Sequence, residues 1–177
     1  MENKPKSSRR TFLKLGVVAT VVVAAGGAIY RSLNPQQHEK HVLDGEAKIA
    51  LHAIVQAMLH NALPAKGPER EAAVKQAISN VELAISGLPY HAQKEVANLF
   101  GLLSIGLARR LLTGVSSGWS EAQTQEVGAF LQNWRLHSSA IFQSGYHALH
   151  DLILGPYYGN PANWPSIGYP GPLKELS

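Results

Sequence analysis

His147, His150 and Asp151 stand at i, i+3 and i+4 of an apolar-periodic stretch. On a helix all three share one face, and two imidazoles with a carboxylate can hold a divalent metal. His52 or His60, on another helix, would supply a third or fourth ligand. No His-Glu-x-x-His or comparable signature accompanies them, so a polar outer helix face is the simpler reading and the metal site the alternative. Ser116-Ser117 and Ser138-Ser139 lack the Gly-x-Ser-x-Gly setting of a hydrolase nucleophile. Gly26-Gly27 has no phosphate-loop context. The chain has no cysteine, which excludes disulfides, iron–sulfur ligation, Cys-x-x-Cys-His haem attachment and a thiolate nucleophile. Arg109-Arg110 could grip an acidic partner, but they complement the carbonyl end of a helix more simply. Trp134 falls on an apolar stripe and belongs to a core. The expectation is a chain with no catalytic set, no bound cofactor and no resident metal.

Charge narrows the partners. Of 16 Lys+Arg, five (Lys4, Lys6, Arg9, Arg10, Lys14) precede residue 30, against one of 12 Asp+Glu, so 11 of each remain from Arg31 onward. The basic pI of about 9.4 therefore belongs to the N-terminal segment. The remainder is formally neutral and lacks the electrostatic footprint of a nucleic-acid binder.

The elements that position these residues are helical throughout. Asp44 is placed to cap a helix from Gly45, with Ala47, Ala50, Leu51, Ile54, Val55, Met58 and Ala62 on one stripe. Gly67-Pro68 opens a second helix, with Val74, Ala77, Ile78, Val81, Ile85 and Leu88 inward and Gly87 and Pro89 as its stop. Residues 91–113 form a third, with Val96, Leu99, Phe100, Leu103, Leu107 and Leu111 on one face and Leu102, Ile105 and Leu112 on the other. A helix apolar most of the way round is expected at the centre. Ser120 and Gln123 have capping-box spacing. Beyond them Val127, Phe130, Leu131, Trp134, Ser138, Ile141, Phe142, Gly145, Leu149 and Leu152 keep a helical period to Gly155-Pro156, either through Ser138-Ser139 or broken there. The predicted fold is all-α, a four- to five-helix bundle-like domain over residues 44–155. A linker over 30–43 precedes it and a Pro/Gly/aromatic tail over 156–177 follows.

Ser8-Arg9-Arg10-Thr11-Phe12-Leu13-Lys14 is similar, at all seven positions, to a bacterial twin-arginine export signal. Such a signal is an address read by a receptor, and its route carries folded proteins. Leu15 to Ile29 is a 15-residue uncharged apolar run, shorter than a spanning helix and suited to a signal-peptide core. Residues 1–29 are thus expected to be a leader, cut near Ala28 or kept as an anchor.

The tail carries Pro156, Pro161, Pro165, Pro170 and Pro172, which forbid a regular helix. It also carries three tyrosines and Trp164, the side chains that anchor interfaces, and disordered tails are poor in them. From the residues alone the tail packs on its own domain or across another protein. Tyr157-Tyr158-Gly159-Asn160-Pro161, Trp164 and Ile167-Gly168-Tyr169-Pro170-Gly171-Pro172 resemble the C-terminal signature of a family. It is the small, twin-arginine-bearing subunit of bacterial FAD-dependent dehydrogenases of the glucose–methanol–choline type, such as gluconate 2-dehydrogenase and the fructose and sorbitol dehydrogenases. The resemblance covers leader and tail by residues and the helical middle by pattern only. It implies a large subunit that holds FAD and oxidises a sugar, polyol or alcohol, and a multihaem cytochrome c that passes electrons to the membrane. The small subunit brings the leaderless large subunit through the twin-arginine translocon into the periplasm and supports its folding. On that resemblance this chain is a non-catalytic accessory subunit of a membrane-associated complex. FAD resides in its partner and haem c in the electron acceptor. Tyr157, Tyr158, Trp164, Ile167 and Tyr169 face the large subunit. Without cysteine, no covalent link to that subunit can form.

Overall fold

The computed structural model describes Leu43 and residues 45–172. Among these the chain is all-α, without a strand. The helices are α1 (Gly45–Met58), α2 (Pro68–Ser86), α3 (Tyr90–Ser104), α4 (Gly106–Thr113), α5 (Thr124–Arg135), α6 (Ala140–Tyr158) and a 3₁₀ helix over Pro161–Ile167. The leader and the expected Asp44 cap lie outside the described residues.

Helix α1 occupies the centre. It buries Ala47, Ala50, Leu51, Ala53, Ile54 and Val55 and packs against α2, α3, α5 and α6. Three of those residues are alanine, so neighbouring backbones approach closely. Its stripe continues through the turn that follows, where Leu59 and Leu63 are also buried. Helix α2 starts as its sequence dictates. Gly67 adopts φ 91°, Pro68 takes the first helical position, and Glu69 and Glu71 sit at the positive end of the helix dipole. At the next corner the Gln93 side-chain amide donates to the Leu88 carbonyl at 2.8 Å and the Ser86 carbonyl at 3.2 Å.

Residues 91–113 depart from expectation. They form two helices, not one central rod, bent by 96° between α3 and α4. Ser104 Oγ donates to the Phe100 carbonyl at 2.7 Å, a back-bond that bends helices, and Ile105 takes an extended φ −80°, ψ 115°. Val96, Phe100, Leu102 and Leu103 are buried on α3, whereas Leu107 and Leu111 on α4 are 70% and 75% exposed. A continuous helix would pair the Leu103 carbonyl with the Leu107 N–H. The Trp119 indole N–H donates to that carbonyl instead, at 2.8 Å, so the break leaves no buried acceptor unpaired there.

Two further boundaries differ. The expected capping box does not form: α5 begins at Thr124 with Gln123 as an N-cap that makes no side-chain bond. Burial of Trp119, 2% exposed, sets that turn, and the Gly118 carbonyl accepts from the Glu121 and Ala122 N–H groups at 3.0 and 2.9 Å. The Gly155-Pro156 stop and the boundary at 155/156 also move, because α6 continues through Pro156 to Tyr158. Pro156 removes one backbone donor, but Tyr157 plugs into the core and its hydroxyl donates to the Ala62 carbonyl at 3.0 Å. Between α5 and α6 the chain does break at Ser138-Ser139. There His137 Nδ1 accepts from the Ser139 N–H at 3.0 Å, and the Gln143 side chain donates to the His137 carbonyl at 2.8 Å.

Candidate partner-binding surface

All three tryptophans of the chain do one job, and the third builds the candidate surface. The last carbonyls of a helix have no partner within it. Trp119 donates to Leu103 near the end of α3, Trp134 to Leu112 near the end of α4 at 2.8 Å, and Trp164 to Tyr158 at the end of α6 at 2.7 Å. Each indole thereby pairs its only polar atom and lays its ring against apolar neighbours. Phe130 bridges the first two, with its centroid 6.0 Å from Trp119 and 5.3 Å from Trp134.

The tail is ordered by this third contact. Asn160 caps the 3₁₀ helix, its side-chain oxygen accepting from the Ala162 N–H at 3.1 Å. The Asn163 amide donates to the Tyr157 carbonyl at 2.7 Å. The 3₁₀ helix ends at Gly168, whose φ of 69° favours glycine, and the chain turns so that Tyr169 packs on Trp164 with centroids 5.1 Å apart. Gly171, at φ 98°, closes over the same indole; a Cβ there would lie 3.2 Å from the ring.

The five tail residues divide into three classes. Tyr157 is a core residue of its own domain, 6% exposed, and presents no surface to a partner. Burial, with a smaller effect from the neighbouring Tyr158, pushes its hydroxyl pKa above the usual tyrosine value. Tyr158 and Trp164 are half-buried against the domain. Ile167 and Tyr169 face outward, 55% and 44% exposed. The tail therefore folds onto α6 and leaves Ile167 and part of Tyr169 open to solvent.

No family model, curated protein or solved structure matches the chain.

The histidine cluster is differently arranged from a metal centre. His150 Nδ1 and Asp151 Oδ1 are 2.9 Å apart, and both are well exposed. The Tyr146 ring contacts both His147 and His150, with centroids at 5.5 and 5.8 Å. His52 pairs with Gln56 at 3.2 Å, and His60 is exposed. Among the described residues no three His, Asp or Glu side chains converge on one point. Arg109 lies over the Trp119 ring, 5.9 Å from its centroid, and Arg110 is in the last turn of α4. Ser8, Arg9, Arg10, Phe12, Leu13 and Lys14, expected to form an export signal, lie outside the described residues. The periodic pattern passed over Trp119, which sits in a loop between stripes; its aromatic size beside Gly118 was the available signal.

Proposed function

We propose that this chain is a non-catalytic accessory subunit of a periplasmic FAD-dependent sugar or alcohol dehydrogenase. It carries the leaderless flavoprotein through twin-arginine export and supports its folding. The observation that carries this reading is the pairing, in one chain, of a seven-position export motif at Ser8–Lys14 with the aromatic C-terminal signature from Tyr157 to Pro172. The arrangement of the tail supports it. Trp164 stiffens an irregular segment before any partner arrives, so that Ile167 and Tyr169 are presented with little ordering entropy left to lose on binding. FAD belongs to the large subunit and haem c to the cytochrome that accepts its electrons.

The test is co-expression with the flavoprotein and measurement of FAD-containing enzyme in the periplasm. The double substitution Arg9→Lys, Arg10→Lys is expected to strand the flavoprotein in the cytoplasm. Unchanged export of the flavoprotein by that variant would sink the carrier reading.

A further inference from the structure

Helix α4 is the part of the fold whose construction the carrier reading leaves unexplained. Leu107, Arg110 and Leu111 stand at i, i+3 and i+4 and so share one face. Both leucines project outward, and Arg110 beside them is exposed. The opposite side is tied down: Arg109 lies over Trp119, the Leu112 carbonyl is held by Trp134, and the helix packs against α3 and α5. From Val96 to Ser120 the chain has no carboxylate, and Arg109 and Arg110 are its only formal charges. The nearby Glu126 is occupied by the Ser116 N–H and the Ser117 hydroxyl, each at 3.1 Å.

From this we infer that α4 is an interfacial helix that seats on an anionic lipid bilayer, with Leu107 and Leu111 in the acyl boundary and Arg110 at the lipid phosphates. No single helix among the described residues is long and apolar enough to cross a membrane, and the apolar side chains of α3 are spent on the domain's own core, which leaves those of α4 as the outward ones. The 96° bend sends α3 into the core and lays α4 along the surface, the attitude of a helix that lies in a membrane interface. A protein partner suits the face less well. Eight residues make a helix only about 12 Å long. A stable protein interface buries roughly 800 Å² on each partner, far more than two leucines and an arginine supply. A bilayer sets no threshold of complementary area; affinity scales with the apolar surface inserted plus the attraction of cations to anionic lipid, so two leucines beside Arg110 give a weak, reversible seat. The face is independent of the tail, so it stands or falls apart from the carrier reading.

Because the chain has no cysteine, one introduced thiol gives a unique label. The full-length chain is labelled with an environment-sensitive fluorophore at Leu111→Cys and, as a control, at Leu83→Cys on α2, which is 72% exposed. Each is mixed with phosphatidylglycerol vesicles carrying a lipid-borne quencher, and with phosphatidylcholine vesicles. The expected result is a blue shift and quenching at position 111 with phosphatidylglycerol and little change at position 83. Adding Arg110→Glu should raise the lipid needed for half-maximal quenching roughly tenfold, with the helical circular dichroism unchanged. Equal quenching at both positions would mean that the N-terminal segment merely holds the whole domain near lipid, and overturns the proposal. So does no quenching at 111, equal response to phosphatidylcholine, or a shift at 111 that requires the flavoprotein or a second copy of the chain.

Discussion

Gly145 stands where α6 passes close to α5, since a Cβ there would sit 2.7 Å from the Trp134 ring. That ring is fixed by its bond to the Leu112 carbonyl and by Phe130 and Phe142 on either side, so it cannot swing away. Gly145→Ala should therefore lower unfolding free energy by about 1–3 kcal/mol through overpacking, despite the better helix propensity of alanine. Urea denaturation checks this; an unchanged or raised midpoint would show that α6 can shift. Tyr157 gives a second prediction, with a defined pH sign. Its folded-state pKa is raised by burial, so the folded protein holds that proton more tightly than the unfolded chain. The associated stability is present below the unfolded tyrosine pKa, near 10, and is lost as pH climbs from there through the folded value. Tyr157→Phe should cost roughly 1 kcal/mol at neutral pH by deleting the bond to the Ala62 carbonyl, and should flatten the alkaline decline. A variant whose alkaline limb is as steep as the parent's would assign that decline to other groups.

Among the elements, the tail and α4 show how far periodicity reaches. The stripes on α1, α2 and α5 lie on the predicted residues, with Val127, Phe130, Leu131 and Trp134 all buried on α5. On residues 91–113 the stripe runs on unbroken while the backbone turns, because a period of apolar residues says nothing about which carbonyls a distant indole will claim. Leu107 and Leu111 continue the helical period of the buried Phe100 and Leu103 yet face outward. The tail follows the same logic. Ile167→Asp should leave the melting temperature of the lone subunit nearly unchanged, since that side chain is substantially exposed. The same change should weaken co-purification with the flavoprotein. A large drop in melting temperature would instead place Ile167 in the domain's own packing; intact co-purification would remove it from the interface.

At the scale of the whole molecule, a cysteine-free chain gathers its helices around α1 and seals three helix ends with three tryptophans. Leu51, Ile54, Phe100, Phe130, Leu149 and Ile153 are fully buried, which lets a cysteine-free domain stand by burial without disulfides. The result presents two separate apolar outlooks, Ile167 with Tyr169 on the tail and Leu107 with Leu111 on α4. Under the two proposals above, the first would meet a protein passenger and the second a lipid layer.

The residue pattern by itself determined the helical class, the places of Gly67-Pro68 and Gly87, and most of the buried stripes. These follow from short-range rules: a period of 3.6, a proline without its donor, a glycine able to take positive φ. Tertiary structure alone decided that α1 is central, that residues 91–113 bend, and that α6 outruns Pro156. It also drew Tyr157 inward while leaving Tyr169 partly outside. Two of those outcomes rest on bonds that cross between elements, Trp119 to Leu103 at the bend and Tyr157 to Ala62 beyond Pro156, and no local pattern encodes which distant carbonyl a side chain will meet.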